Sequence, residues 1–315
     1  MQRRCWAGVL VLAFLASPAP GAVKLEWKLK EGDQFFLQEK TKTRETITFM
    51  GKPYEQNLDH TRVSRFTVLK KDEDGGYLLE QKILHVQVER GGKKGVAGKR
   101  ASAKLLQDMQ GATFKLTLSP KMRITKFEGY DALMKKMAGK EELGKKEDVG
   151  KQARALITED SLVKPLEALF GFIPAKEVAK GDEWTYVATR PLGVMGSLKL
   201  TGNYNYKADK KNDAGDKLVT LDVVNARARY FPARTESGLA FRLVKGDFKV
   251  DRKNTNGTIT WSVTKGRMVS AEQKTKLSGT VTMDAMGTTV AMDVELQETV
   301  LTTVSAKNPL KKTRK

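Results

Sequence analysis

The chain has 315 residues, of which 40% are hydrophobic and 7% aromatic, enough for one large domain or two small ones. It contains one cysteine, Cys5, which excludes a disulfide framework and a cluster of thiolate metal ligands. Lysine and arginine outnumber aspartate and glutamate by 57 to 37, and the net charge of +20 favours either acidic partners or simply a well-solvated surface.

The first 22 residues have the order of a secretory signal peptide. Arg3 and Arg4 provide a basic start, residues 6–16 are apolar, and residues 17–22 are small or proline. A membrane-spanning helix needs about twenty apolar residues, and this run is much shorter. We therefore expect cleavage near residue 22, no transmembrane anchor in the mature protein, and a periplasmic or extracellular location. Cys5 would be removed, so the mature fold depends on its hydrophobic core.

Residues 23–128 are predicted to form a first β unit. Within residues 114–118, for example, phenylalanine and leucine alternate with lysine and threonine. Alternation with a period of two indicates a strand with one buried and one solvated face, which is typical of antiparallel sheets. Glycine-containing turns such as residues 74–76 separate these segments.

One stretch of the first unit, residues 90–104, carries six basic residues and no acidic one. Part of it resembles a phosphate-binding loop, but Lys93 stands where that motif needs glycine and Arg100 where it needs serine or threonine, which excludes a nucleotide site. The stretch has no aromatic residue, which argues against single-stranded nucleic acid. A solvated loop is one interpretation, and an anion-binding site is the other; the residues of that candidate site are Arg90, Lys93, Lys94, Lys99, Arg100 and Lys104.

Residues 129–172 are predicted to be a helical connector. The spacing of the apolar residues indicates two helices, the second over about residues 152–170. Within that second stretch Asp160 or Ser161 is the candidate N-cap of the main helical segment, and Pro165 would lie in the first turn of that segment, where no backbone donor is lost.

Residues 173–304 are predicted to form a second β unit similar to the first. Each unit opens with a Gly-Asp pair, at 32–33 and at 181–182. The pair Met50-Gly51 recurs 145 residues later, and the hairpin that begins at Thr113 recurs at the same offset. We interpret these matches as an internal repeat, although hairpins with glycine turns also resemble one another without duplication.

The second unit opens with Ile173–Trp184, which reads IPAKEVAKGDEW. This resembles the phrase (L/I)-P-x-x-x-V-x-x-G-D-x-W of a family of exported bacterial proteins of unknown function, and residues 25–33 resemble the start of that family. The resemblance implies an exported, β-rich bacterial protein and brings no catalytic residues. In physical terms the glycine permits a turn, the aspartate can bond nearby backbone amides, and the tryptophan then packs into the sheet.

Few residues of the chain suit catalysis or metal binding. The two histidines, His60 and His85, fall on polar sides of predicted strands, so both are predicted to lie at the surface. The sequence has no Gly-x-Ser-x-Gly elbow, and its only thiol precedes the apolar run of the signal peptide. We therefore predict no catalytic residue, no metal and no cofactor. A hydrolase whose carboxylates meet only in the folded protein is the alternative left open.

The expected fold is mainly β and antiparallel, with a few helices between two similar β units, and the sheet should form a sandwich, a barrel or a half-barrel. By fold-level analogy with lipid carriers of the cell envelope, helices laid over a half-barrel would enclose an apolar cavity. The candidate lining residues are Leu162, Leu166, Phe170, Leu198, Leu200, Ile259 and Trp261.

The function expected from these features is that of an exported, non-catalytic binding or structural protein of the cell envelope. Its first specific version is a carrier of lipid or another hydrophobic ligand. The alternative is a polyanion-binding scaffold that uses residues 90–104 and the basic tail, residues 305–315. Anionic lipid, a polysaccharide or an envelope protein are the partners that the basic charge suggests.

Overall fold

The computed structural model describes residues 21–91, 98–139, 153–154, 157–192, 196–233, 242–285 and 287–311. Nearly all of the predicted signal peptide lies outside these residues. The strands are β1 (Gln34–Phe49), β2 (Lys52–Lys71), β3 (Tyr77–Gly91), β4 (Thr113–Leu118), β5 (Ile124–Glu128), β6 (Glu183–Pro191), β7 (Ser197–Lys211), β8 (Lys217–Phe231), β9 (Arg242–Val250), β10 (Asn256–Ser262), β11 (Arg267–Ala285) and β12 (Thr288–Ser305). The helices are α1 (Gly98–Asp108), α2 (Tyr130–Ala138) and α3 (Glu159–Gly171).

All of these strands belong to one antiparallel sheet, which confirms the predicted fold class. The strand order is β5-β4-β3-β2-β1-β12-β11-β10-β8-β7-β6, and β9 pairs with β11 next to β10. Strands β5 and β6 are the two ends of this order, so the sheet is open. Helix α3 packs against β6 and also touches β5. A single helix reaches both ends only because the sheet curves into a half-barrel-like shape.

The two halves of the chain have the same pattern of strand pairing. The strands β1 to β5 pair with one another in chain order, and so do the strands β6, β7, β8, β10 and β11, except that β9 is skipped between β8 and β10. The first set lies within the predicted first unit and the second set within the predicted second unit. Whether this pattern arose by duplication stays a prediction.

The Gly-Asp openings of the two halves have matching hydrogen bonds. In each opening the glycine has a left-handed backbone, with φ of 82° at Gly32 and 94° at Gly181, which glycine adopts without steric cost. In each, the aspartate Oδ2 accepts a hydrogen bond of 2.9 Å from the N–H three residues earlier. The glycine N–H and the aspartate carbonyl then bind one strand residue, Val68 in the first half and Tyr206 in the second. The turn chemistry predicted from the sequence is therefore present.

Helix α2 matches the first predicted helix, whereas α3 begins earlier than its predicted cap. Thr158 is the N-cap of α3, and its Oγ1 accepts a hydrogen bond of 3.1 Å from the N–H of Ser161. The predicted caps, Asp160 and Ser161, lie inside the first turn, where the acidic charge of Asp160 suits the helix dipole. Pro165 consequently lies in the second turn rather than the first. In the second turn a proline removes one helical hydrogen bond, because it has no N–H.

The buried apolar side chains form three clusters. The first cluster lies between β1–β4, β7, β8, β10, α3 and residues 23–29. The second cluster joins α1 and α2 to β3 and β4, and the third lies on β7, β8, β9, β11 and β12. Representative members are Trp27, Phe35, Phe66, Phe170 and Trp261 in the first, Ile83, Leu105, Phe114, Leu133 and Met137 in the second, and Leu198, Tyr230, Phe248, Leu277 and Leu296 in the third.

Candidate functional site

The segment of residues 23–29, called the strap below, crosses the concave side of the sheet as an extended chain. Its odd-numbered residues, Val23, Leu25, Trp27 and Leu29, are buried, and the residues between them are exposed or half-buried. The strap forms one isolated bridge with Val178. The N–H of Val23 donates to the carbonyl of Val178 at 2.8 Å, and the carbonyl of Val23 accepts from the N–H of Val178 at 2.9 Å. It is therefore attached to the protein mainly by its apolar side chains.

Trp27 is the central side chain of the strap. Its ring centroid lies 5.0 Å from that of Trp261 in an edge-on arrangement, 5.1 Å from Phe170 and 6.3 Å from Phe35. Its indole Nε1–H donates a hydrogen bond of 3.2 Å to the carbonyl of Phe170. The indole thus fills the space between the sheet and the C-terminal end of α3.

The structure brings together four of the seven residues predicted to line a cavity. Leu166, Phe170, Ile259 and Trp261 belong to the first cluster. The other three do not join them: Leu162 lies in the second cluster, and Leu198 and Leu200 lie in the third. Trp27 occupies the space beside Phe170 and Trp261. Alternation within strands identifies an inward face but does not say which part of the concave side each residue reaches.

A layer of charged side chains lies on the same face of the sheet, between the first and third clusters. On β1, Phe35 and Leu37 point into the first cluster, and the period of two places Glu39, Thr43 and Glu45 on that face. The layer, called the charged layer below, consists of Glu39, Glu45, His60, Arg62, Arg190 and Glu298.

Two arginine–carboxylate pairs dominate the charged layer. Arg62 of β2 binds Glu39 of β1 through its Nε at 3.0 Å. Arg190 of the edge strand β6 binds both carboxylate oxygens of Glu298 on β12, at 2.6 and 2.7 Å. Because β6 and β12 are not neighbours in the strand order, this second pair spans the concave side and fastens the edge of the sheet to its middle. Thr43 adds a hydrogen bond of 3.2 Å from Oγ1 to Glu298.

Two further residues of the charged layer, His60 and Glu45, have pKa values that differ from their ordinary values. Burial lowers the pKa of His60, and the positive charge of Arg62 lowers it further. Within the described residues, the Nδ1 atom of His60 is buried and has no hydrogen-bond partner. Burial raises the pKa of the Glu45 carboxyl, against the opposing effect of Arg190; Gln56 Nε2 donates to its Oε2 at 3.2 Å.

The prediction that both histidines lie at the surface is wrong for His60, and for His85 it holds only for the exposed part of the side chain. His60 is half-buried on the face that carries the charged layer. His85 is also half-buried. Next to it, the pairing of β2 with β3 shifts register between Val63 and Ser64 and leaves Leu84 unpaired as an extra residue. Sequence alternation alone does not reveal such a bulge. The charged layer itself was not predicted, since its partners are far apart along the chain.

The predicted basic sites are only partly described by the structure. Of the candidate anion-binding residues, Lys104 is half-buried on α1, and the side chains of Arg90, Lys93, Lys94, Lys99 and Arg100 lie outside the described residues. The described part of the basic tail, residues 305–311, contains Lys307 and Lys311. Within the described chain, no three histidine, cysteine, aspartate or glutamate side chains gather in an arrangement that could hold a metal ion.

Residues 86–215 match the model of DUF6263, a family of unknown function. The matched range includes residues 173–184, which supports the resemblance to a family of unknown function noted in the sequence. A search among curated proteins gave no match. No helix in the described part of the chain combines the length and the hydrophobicity that crossing a membrane requires.

Solved structures with some likeness to this chain include three bacterial proteins. DynF from the dynemicin biosynthesis pathway of Micromonospora chersina is 9% identical, with 95% of this chain and 92% of that chain covered and a TM-score of 0.18. A DUF1329 family protein from Desulfovibrio piger is 8% identical, with coverages of 87% and 84% and a TM-score of 0.15. An outer membrane channel from Pseudomonas putida is 9% identical, with coverages of 89% and 98% and a TM-score of 0.21. At these TM-scores the likenesses establish neither the fold nor the function of this chain.

Proposed function

We propose that this protein is an exported, non-catalytic binding protein of the cell envelope that carries a hydrophobic ligand on the concave side of its sheet. The observation that carries this proposal is the position of Trp27. Its indole fills an apolar space walled by Trp261, Phe35 and Phe170. In this proposal the strap closes the space in the empty protein, and a ligand takes the place of the strap.

The attachment of the strap is compatible with such an exchange. Besides the two bonds with Val178, its backbone bonds include one from Lys28 N–H to the carbonyl of Gly266, at 2.9 Å. Withdrawing the strap would leave the pairing of the twelve strands intact. The main cost is exposure of four apolar side chains and their walls, roughly 1.5–3 kcal/mol per side chain and therefore about 6–12 kcal/mol in all. A ligand that buries the same walls offsets this cost.

The walls indicate the chemical class of the ligand. The first cluster consists of aliphatic and aromatic side chains, with tyrosine hydroxyls and the indole N–H groups of Trp27 and Trp261 as its polar groups. The phenol of Tyr204 is neutral near pH 7, and burial raises its pKa further. We therefore infer an uncharged alkyl or aromatic portion as the part of the ligand that is bound here, since an unpaired charge in this space would be strongly disfavoured.

A hydrolytic role receives less support from the same residues. In the charged layer, Glu39 is bound by Arg62 and Glu298 by Arg190. Two of the three carboxylates of the layer are therefore engaged by arginines, and their oxygens are less available to reach a substrate.

The test is native mass spectrometry of the mature protein, with solvent extraction of whatever co-purifies. We expect a co-purifying hydrophobic molecule at partial occupancy in the wild type, and an occupancy closer to one per protein in Trp27→Ala, which removes the side chain that competes with the ligand. Trp184→Phe is the matched control, since it alters a neighbouring indole without opening the space. If wild type and Trp27→Ala are both free of ligand, and neither binds an added alkyl or aromatic probe more tightly than the control, the proposal is wrong.

A further inference from the structure

An open groove of about 790 Å³ lies on the convex side of the sheet, where the C-terminal segment passes over β1 and β2. Phe36 of β1 pairs with Arg65 of β2, and the neighbouring pair, Phe35 and Phe66, points into the first cluster. Because successive side chains of a strand point to opposite faces, Phe36 and Arg65 face away from the strap. The groove is therefore separate from the space that Trp27 fills.

The walls of the groove combine apolar and cationic groups. Phe36, Leu84 and Pro309 supply apolar surface, and Arg65, Lys307 and Lys311 supply positive charge. Leu84 belongs to the groove because the bulge in β3 interrupts the alternation there. No acidic residue is among the described residues that line the groove.

The C-terminal wall has a defined local structure. The N–H of Lys307 donates to Ser305 Oγ at 3.1 Å, and the N–H of Leu310 donates to Asn308 Oδ1 at 3.0 Å. The N–H of Lys311 donates to the carbonyl of Asn308 at 3.2 Å. These short-range bonds fold the segment into consecutive turns, and they keep both lysines beside the strands instead of on an extended tail.

Arg65 has unused hydrogen-bonding capacity. One of its terminal nitrogens lies 3.5 Å from Oε1 of Glu80, the carboxylate nearest to it. Its Nε is buried and has no hydrogen-bond partner within the described residues. A buried donor without a partner costs about 1–3 kcal/mol, and the partly exposed end of the same guanidinium supplies positive charge to an anionic oxygen in the groove.

We propose that this groove binds an anionic amphiphile, namely a carboxylate or phosphate group attached to an apolar chain. The anionic oxygens bind Arg65, with Lys307 and Lys311 beside them, and the chain lies on Phe36, Leu84 and Pro309. This site is independent of the proposed carrier function, because it uses the opposite face of the sheet.

The experiment measures binding by isothermal titration calorimetry with four probes below their micelle concentrations. Dodecyl phosphate and dodecanoate carry both features of the proposed ligand, inorganic phosphate carries only the anion, and dodecyl maltoside carries only the chain. We expect the first two to bind at least tenfold more tightly than the last two. Equal binding of inorganic phosphate would contradict the role of the apolar wall, and equal binding of dodecyl maltoside would contradict the role of the cations.

Variants assign the binding to this groove. The double variant Lys307→Gln/Lys311→Gln should weaken dodecyl phosphate binding about tenfold without affecting the fold, because both side chains are at the surface. Arg65→Gln should weaken it further, with circular dichroism as a check on folding. Lys253→Gln, at an exposed position in the loop between β9 and β10, is the control. If the double variant binds dodecyl phosphate as tightly as the control does, the proposal is overturned.

Discussion

Trp27 and Trp184 donate their indole N–H groups to backbone carbonyls two residues apart, those of Phe170 and Phe172, at 3.2 and 2.9 Å. These carbonyls lie at the C-terminal end of α3, where the last carbonyls of a helix have no partner inside the helix. The residue four positions after Phe170 is Pro174, which has no N–H to offer. Two indoles from distant parts of the chain therefore satisfy the end of the helix and fix its position over the sheet.

Trp27→Ala is expected to lower the free energy of unfolding by about 3–5 kcal/mol, as for other large aromatic side chains removed from a core. Chemical denaturation followed by circular dichroism measures this change. Trp184→Phe removes the hydrogen bond and part of the ring at a half-buried position, so a smaller loss of about 1–2 kcal/mol is expected. A loss below 1 kcal/mol for Trp27→Ala would show that the strap does not contribute to the core.

Asp33→Ala and Asp182→Ala should destabilise the protein to a similar extent, because the two carboxylates make the same bonds in the two Gly-Asp openings. Each substitution removes one hydrogen bond to a backbone N–H, which is worth about 0.5–1.5 kcal/mol. Asp213→Ala, in an exposed turn, is the control and should change stability by less than about 0.5 kcal/mol. Losses that differ from each other by more than twofold would contradict the equivalence of the two openings.

The Arg190–Glu298 pair should show a measurable coupling energy. Its side chains are 22% and 16% exposed, so we expect a coupling of about 1–3 kcal/mol, between the values for surface and buried pairs. A double-mutant cycle with Arg190→Met and Glu298→Gln measures it. The exposed pair Lys24–Glu26 serves as the comparison and should give a coupling close to zero. Equal couplings in the two cycles would mean that the pair does not fasten β6 to β12.

His60 should make the fold less stable as the pH falls. Its pKa is lowered in the folded protein, so the unfolded chain binds a proton first, and stability is lost as the pH drops below about 6.5. His60→Gln removes this contribution and should reduce the slope of the unfolding free energy against pH between about pH 6.5 and 4.5. An unchanged slope would show that His60 is protonated equally easily in both states.

Glu45 should affect the pH dependence of the unfolding free energy in the opposite direction. Its pKa is raised in the folded protein, so the folded state binds the proton more tightly, and stability is lost as the pH rises through the folded pKa. Glu45→Gln should therefore stabilise the protein at pH 7 to 8, and it retains an oxygen that can accept the bond from Gln56. At pH 4 the two proteins should be nearly equal in stability. A destabilising effect of Glu45→Gln at pH 8 would contradict this interpretation.

Local sequence patterns predicted strands such as that of residues 114–118, α2 and the turns at Gly32 and Gly181, because each depends on residues that are neighbours along the chain. The strap carries the same kind of signal: apolar residues alternate with charged ones from Val23 to Lys30. Local patterns do not predict which strands face each other across a curved sheet. The contact of Arg190 with Glu298 joins residues 108 positions apart, and it depends on the curvature of the whole sheet.

The groove was not predicted for a related reason. Its basic residues come from β2 and from the C-terminal segment, which the register of β1 with β12 brings together. In the sequence, Lys307 and Lys311 belong to a basic tail that was predicted only as part of a polyanion-binding surface, with no sign of the apolar residues beside it. Arg65 stands in a strand whose alternation gives no sign of its unpaired Nε.

The pairing of β1 with β12 also affects how the chain reaches its native state. Phe36 pairs with Ser305 and Phe49 with Met292, so one side of the first strand finds its partner only when nearly the entire chain is available. Contacts this distant in sequence make folding slow, and an unpaired strand edge is open to other chains in the meantime. During synthesis, the β1–β2 hairpin must therefore wait for the last strand. A chaperone that covers this edge, or the charge of Lys40, Lys42 and Arg44 along it, would limit aggregation until β12 arrives.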